Sequence, residues 1–364
     1  MRVAIPKLSS KSCAILAAIS CSVLVHCRPD GAAPGPASAS TATTVSTHKI
    51  VVFRGTCDAS GTASLAGSRF AVADDEDNLL RVYDSALGGD ALFTIDISPA
   101  LALPAGRKAP EADIEAATRL GDRALWLTSH GLSSKGERQP ARFRFFATTA
   151  PSSQQDGAQL APIGTAYQGL LQDLLDTPAL AQLGLLEASA RPPKAGGLNI
   201  EGMARRSDDH SVLIGFRSPR PGQRALLVPL LNPEELVAAH ETSTVHAQFG
   251  APILLDLDGL GIRSLTLWRG QYVIAAGALN DEATSQLYLW NGSDAPQRVR
   301  NVNLEGLNPE AIVASDDSDK LLLVSDDGAR AIDGVPCKKL KDRSRKQFRG
   351  VWLQVSDTRP PRAL

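Results

Sequence analysis

The chain has 364 residues, 43% hydrophobic and 21% charged, enough apolar material for one large domain, and this excludes collagen, coiled coil and wholesale disorder. Thirty-eight basic against 39 acidic residues leave a net charge of −1, so no basic excess exists to drive binding to a nucleic-acid backbone. The 30 glycines and 23 prolines favour many turns over long helices.

At the start, Arg2, Lys7 and Lys11 precede an apolar run from Cys13 to Cys27, roughly 15 residues long against the ~20 that cross a bilayer. A stretch rich in Ala, Pro, Ser and Thr follows, the order of a bacterial export signal and a flexible tether. Three readings stay open: cleavage after Ala39 in Ala37-Ser38-Ala39, a lipoprotein signal ending at Cys21 or less well at Cys27, and an uncleaved anchor. The expected organisation is an export signal over 1–39, a linker over 40–46, one domain over 47–356 and a tail over 357–364. Without residues 1–39 the chain carries 34 basic and 38 acidic residues. The expected setting is periplasmic, lipid-anchored or secreted, as a monomer that meets membrane only through its N-terminus and takes a small-molecule ligand, not nucleic acid. Cys13, Cys21 and Cys27 lie in the signal; Cys57 and Cys337 remain. In an oxidising compartment they are expected as one disulfide, with two unrelated buried thiols as the alternative.

A short pattern then recurs. Asp58-Ala59-Ser60-Gly61, Asp113-Ile114-Glu115-Ala116-Ala117, Asn199-Ile200-Glu201-Gly202-Met203, Gly261-Ile262-Arg263-Ser264-Leu265 and Asn308-Pro309-Glu310-Ala311-Ile312 each precede a polar turn and an apolar strand. Those strands lie in 68–78, 123–131, 211–218, 271–280 and 320–328. Repeats at such spacing match propeller blades of about 40–50 residues lengthened by insertions. Third strands are expected at 79–84, 142–148, 225–231 and 286–292, and outer strands at 92–97 and 252–258, from their alternation and β-branched or aromatic content. Leucines at helical spacing predict an insertion over 166–188, split by Pro178, and 232–235 begins another short helix. Segments 49–55 and 348–355 flank the repeats and are expected to complete the last blade. The fold is therefore read as all-β, a propeller of five blades, or six, with a pair of β-sandwiches as the rival.

The string FRGTCDASG, FAVADDEDNLLRVYD, GLNIEGMA, VLIGFRSP, LNPEAIV, LLLVSDDG and FRGVWL resembles an uncharacterised bacterial family, a domain of unknown function, over about residues 47–355. The resemblance implies a propeller-like fold and no particular activity. The Glu-Ala/Gly steps are similar, more loosely, to the esterase-like phytase family, which implies a hydrolase, although no histidine-based phosphate motif is present.

In a propeller, matched positions of successive blades converge on one axial channel. Glu115, Glu201, Arg263 and Glu310 are matched, as are the strand ends Asp74/Asp75, Ser129/His130, Phe216/Arg217 and Asp326/Asp327. The catalytic candidates are thus Glu115, Glu201, Glu310 and His130. Arg217 and Arg263 are the candidates for an anionic ligand. Asp74, Asp75, Asp326 and Asp327 are the candidates for a divalent cation such as calcium, which takes carboxylate oxygens, without EF-hand spacing. The alternative is structural: the glutamates hold neighbouring blades through backbone amides or Arg217 and Arg263. No GxSxG, HExxH, Walker loop or GxGxxG occurs. Trp126, Trp268, Trp290 and Trp352 read as packing residues. The expected function is metal-assisted hydrolysis of a phosphate or carboxylate ester; the alternative is a non-catalytic binding or assembly scaffold.

Overall fold

Each repeat becomes one antiparallel sheet of four strands because short apolar segments of period two alternate with polar turns. The computed structural model describes residues 44–356 except 104–108, 151–159, 239–243, 280–284 and 316; the expected signal over 1–39 and tail over 357–364 lie outside these. Strand β1 (Thr44–Arg54) opens the chain. The first blade is β2 (Ala59–Ser64), β3 (Arg69–Asp74), β4 (Leu79–Asp84) and β5 (Phe93–Asp96). The second is β6 (Ile114–Leu120), β7 (Arg123–Thr128), β8 (Phe145–Thr149) and β9 (Pro162–Tyr167). Helices α1 (Leu170–Asp176) and α2 (Leu185–Ser189) follow, with a 3-10 turn at Pro178–Leu180 between them. The third blade is β10 (Asn199–Arg205), β11 (Val212–Ser218), β12 (Ala225–Leu230) and, after α3 (Pro233–Ala238), β13 (Ile253–Leu255). The fourth is β14 (Gly261–Trp268), β15 (Gln271–Gly277), β16 (Gln286–Trp290) and β17 (Gln297–Arg298).

The fifth blade closes the ring. It takes β18 (Pro309–Ala314) and β19 (Lys320–Ser325), passes through the small hairpin β20 (Ala331–Ile332) and β21 (Val335–Pro336), returns as β22 (Gln347–Ser356), and accepts β1 as its outermost strand. Strand β1 runs antiparallel to β22 from Arg54 opposite Gln347 to Thr44 opposite Ser356. The two ends of the domain thus cover each other's edges. The innermost strands β2, β6, β10, β14 and β18 each touch the next, and β18 returns to β2. The blades number five, and the paired-sandwich rival is set aside. The helical insertion begins at Leu170, because Ala166 and Tyr167 stay in β9, where Tyr167 lies opposite Phe145.

Five apolar clusters fill the five seams between blades. Val82 and Trp126 belong to the first seam, Leu127 and Ile214 to the second, Leu227 and Ile274 to the third, Val273 and Leu323 to the fourth. The closing seam holds Phe53, Phe70, Tyr83 and Phe348, with Phe53 stacked on Phe348 at 4.9 Å. Helices α1, α2 and α3 bury Leu170, Leu174, Leu185 and Leu236 against the second seam. Strands β2 and β6 approach closely at Gly61, where an added Cβ would lie 3.0 Å from the backbone of Ala116.

Cys57 and Cys337 form a disulfide with Cα atoms 5.9 Å apart across 280 residues of chain. The ring makes these distant positions neighbours: Cys57 leads into the first blade and Cys337 follows the hairpin of the last. Replacing both cysteines by serine is expected to lower stability by about 2–4 kcal/mol, through the freed unfolded chain. Denaturant unfolding monitored by circular dichroism measures it, and an unchanged midpoint would contradict the bridge's structural role.

Candidate functional site

One backbone device aims the matched residues at the axis. Each innermost strand carries a β-bulge at the repeat motif, where one extra residue faces its neighbour strand. The register slips between Ala59 and Thr62, Ile114 and Ala116, Ile200 and Gly202, Ile262 and Ser264, and Pro309 and Ala311. The residues displaced there include Ser60, Glu115, Glu201, Arg263 and Glu310. Glu115, Glu201 and Glu310 line one narrow void of about 10 Å³ on the axis, room for about one water. Ser60 donates to the carbonyl of Ile114 instead, tying the first blade to the second.

Three blades pair their own charges, with Glu201 Oε2 left buried and without a hydrogen bond. Asn199 Nδ2 donates to Glu201 Oε1 at 2.6 Å and Asn308 Nδ2 to Glu310 Oε1 at 3.2 Å. Arg263, whose side chain is 4% exposed, pairs with Glu310, approaches Glu201 at 3.7 Å and donates to Asn308 Oδ1 at 2.5 Å. Arg217 binds Glu201 at 2.8 Å and donates to the carbonyl of Ala278 from Nε at 3.1 Å and Nη2 at 3.0 Å. Arg217 and Arg263 are therefore held between blades three, four and five.

The second blade breaks this pattern. Its motif begins with Asp113 where blades three and five have asparagine, so no amide is there to donate to Glu115. Asp75, at the end of β3, comes to the same place: one oxygen each of Asp75, Asp113 and Glu115 lie within 4.8 Å of one another. Glu115 enters none of the ion pairs above. Asp113 pairs with Arg142 at 2.9 Å, and Arg142 also reaches Glu111 at 2.6 Å. Asp75 Oδ1 is buried without a hydrogen-bond partner.

Burial first, then Glu115 and Asp74, hold the Asp75 carboxyl well above its usual range. Burial, then Asp113 and Glu201, do the same to Glu115, against the pull of Arg217 and Arg263. Burial lifts Asp113 to about 6 although Arg142 opposes it. Asp58 stands beside Asp75 and Asp326 and is pushed up to about 7 by burial and by Asp326 and Glu76. Its Oδ2 is also buried and unpartnered. It fits there because Gly328 has no Cβ, which would fall 1.7 Å from Asp58 Oδ1.

The other expected residues sort differently. Asp326 lies at this mouth, accepting from Asn308 Nδ2 at 3.0 Å, with its carboxyl raised by burial. Asp74 is turned onto Arg81 at 4.0 Å and accepts from the amide of Glu76 at 2.7 Å. Asp327 takes two hydrogen bonds of 2.6 Å from Arg349 and one of 3.0 Å from Ser325. Those two carboxylates are spent on blade structure and are not brought to the cation group. His130 is also apart from it. Its Nδ1 lies 2.9 Å from the carbonyl of Thr128, its ring meets Phe143 edge-on, and burial pushes it down to about 4. The imidazole is thus neutral near pH 7, and no hydrogen bond joins it to the carboxylates among the described residues. Asp58 and Asp113 are site residues that the motif reading passed over; the signal for them is aspartate, in place of asparagine, as first residue of the repeat.

No curated protein matches the chain in sequence. Among solved structures it is similar to a PQQ-bound aldose sugar dehydrogenase from Streptomyces coelicolor, at 14% identity and a TM-score of 0.43 over 87% of this chain and 99% of that one. It is also similar to the Myxococcus xanthus glutaminyl cyclase, at 10% identity and a TM-score of 0.46 over 87% and 99% of the two chains. Both scores fall below 0.5, and nothing about reaction follows from them. Residues 141–321 match the family described as protein of unknown function (DUF3616), in keeping with the propeller-like domain of unknown function that the motifs resemble.

Proposed function

We propose that the carboxylates at this mouth hold a divalent cation and that the cation serves hydrolysis of a phosphate or carboxylate ester by an exported protein. One observation carries the reading: one oxygen each of Asp75, Asp113 and Glu115 converge with Arg142 on Asp113 as the one paired cation among the described residues, whereas Glu201 and Glu310 each take an asparagine amide and an arginine. Three clustered carboxylates at their usual ionisation repel one another unless a cation or protons join them. The donor set is all oxygen, as calcium or magnesium requires, and the orphaned Asp75 Oδ1 fits a ligand role. A cation there supplies Lewis-acid polarisation of an ester oxygen. Asp58, raised to about 7 by burial and by Asp326, would take the proton of the water that adds across the ester, giving an acid and an alcohol. The disulfide supports an oxidising compartment. No helix of the described residues is long and apolar enough to cross a membrane.

A second reading has its own support. The Glu201–Arg263–Glu310 network staples three blades, as a non-catalytic scaffold would need. Calorimetric titration with Ca²⁺ and Mg²⁺, followed by aryl phosphate and aryl carboxylate ester assays with and without EDTA, separates the two. The hydrolase reading expects saturable binding and turnover that EDTA abolishes. Cation binding without turnover leaves a metal-stabilised scaffold; no binding at millimolar cation overturns the site.

A further inference from the structure

The axial channel has a second, chemically opposite mouth. Thr62, Ala117 and Ile312 line both the narrow void below the glutamates and a wider cavity of about 780 Å³ at the far ends of the inner strands. That volume is within the range of small-molecule sites. Four cationic side chains line it, Arg69, Arg119, Arg205 and Lys320, against the carboxylates of Asp209 and Asp317. Arg205 is paired with Asp209 at 2.6 Å. Arg69, Arg119 and Lys320 form no ion pair among the described residues. Arg119 is the most telling of them. Its Nε donates to the carbonyl of Gly121 at 2.9 Å, which fixes the guanidinium. Burial lowers its proton affinity, and only Asp122 raises it. A guanidinium held at the cavity wall by its own backbone bond, with no carboxylate in ion-pair contact among the described residues, keeps its outer N–H groups open to an anion. Leu267 and Trp352 give the same cavity an apolar wall.

We infer that this second mouth binds a small organic anion. Its carboxylate or phosphoryl oxygens face Arg119 and Arg69, and its apolar part lies along Leu267 and Trp352. Arginine presents a planar fork suited to either oxyanion. The site is distinct from the cation group: Glu115 and Arg119 lie four residues apart along β6, roughly 13 Å. It does not depend on a metal being bound at the other mouth.

The test is calorimetric titration of the full chain with benzoate, phenylphosphonate and inorganic phosphate, repeated with Arg119→Gln, Arg69→Gln and Asp75→Asn. Binding by benzoate and phenylphosphonate, weakened roughly tenfold or more in Arg119→Gln and unchanged in Asp75→Asn, is the expected result. Tighter binding of phenylphosphonate than of benzoate assigns the phosphoryl class, and the reverse the carboxylate class. Inorganic phosphate is expected to bind more weakly than phenylphosphonate, since it lacks the apolar part. Should Arg119→Gln fail to fold, Arg69→Gln carries the comparison. No saturation by any probe at about 10 mM, binding in both arginine variants as tight as in the wild type, or loss in Asp75→Asn overturns the inference.

Discussion

Asp75→Asn is expected to weaken divalent-cation binding on the order of a hundredfold and to make the metal-free protein more stable near neutral pH. Both effects come from one cause. Asp75, Asp113 and Glu115 share one small buried volume, so burial first, then Glu115 on Asp75 and Asp113 on Glu115, raise their proton affinity. Asp113 and Asp58 bind protons in the folded chain up to about 6 and about 7, against an ordinary 3.8. A raised carboxyl contributes stability that is complete below the unfolded value, near pH 4, and is lost as pH rises through the folded value. Buried His130, pushed down to about 4, works the other way up to about pH 6.5, but four raised carboxyls outweigh one imidazole, so the metal-free wild type should lose melting temperature between about pH 4 and pH 7. Moving one carboxyl from 3.8 to about 7 corresponds to at most about 4 kcal/mol. Calcium takes the place of the protons, so saturating calcium should flatten that decline. Asp75→Asn removes one repelling charge, so its metal-free decline should be shallower and its response to calcium small. Melting curves from pH 4 to pH 8, with calcium and with EDTA, test all three statements. A wild type whose metal-free melting temperature climbs toward pH 8, or a variant that answers calcium as wild type does, would refute the site.

The blade count was legible in the sequence because the motif and its following strand recur, and ring closure was legible because residues 49–55 and 348–355 had no other partner. Strand β17 was not, since Gln297 and Arg298 are two exposed polar residues with no alternation to read. The convergence of Glu115, Glu201 and Glu310 follows from repeat equivalence, yet which of them is neutralised does not. Neutralisation rests on partners far along the chain: Arg263 reaches Asn308 and Glu310 in the next blade, and Arg349 reaches back to Asp327. Adjacent aspartates look alike in sequence. Asp74 belongs to β3 and is committed to Arg81, whereas Asp75, one residue past the strand, is left with an unpartnered oxygen at the axis.

Arg263→Met is expected to cost about 3–5 kcal/mol, because it removes the cation, strands the charge of Glu310 and leaves Glu201 with Arg217 alone. In a domain of this size each kcal/mol moves the melting temperature by about 2–4 °C, so a fall of roughly 10 °C should be seen. The loss is not the worth of the network relative to an apolar core. Arg263→Met combined with Glu310→Leu should recover part of the stability, since the stranded charge goes too. Cation binding separates this stapling role from the other mouth residues. Arg263 lowers the proton affinity of Glu115, so its positive field also opposes an incoming cation. Titration of Arg263→Met with calcium below its melting temperature should show binding retained or tightened. Loss of binding would mean that Arg263 positions the cation group, and the division between paired blades three to five and the open carboxylates of the first two would fail.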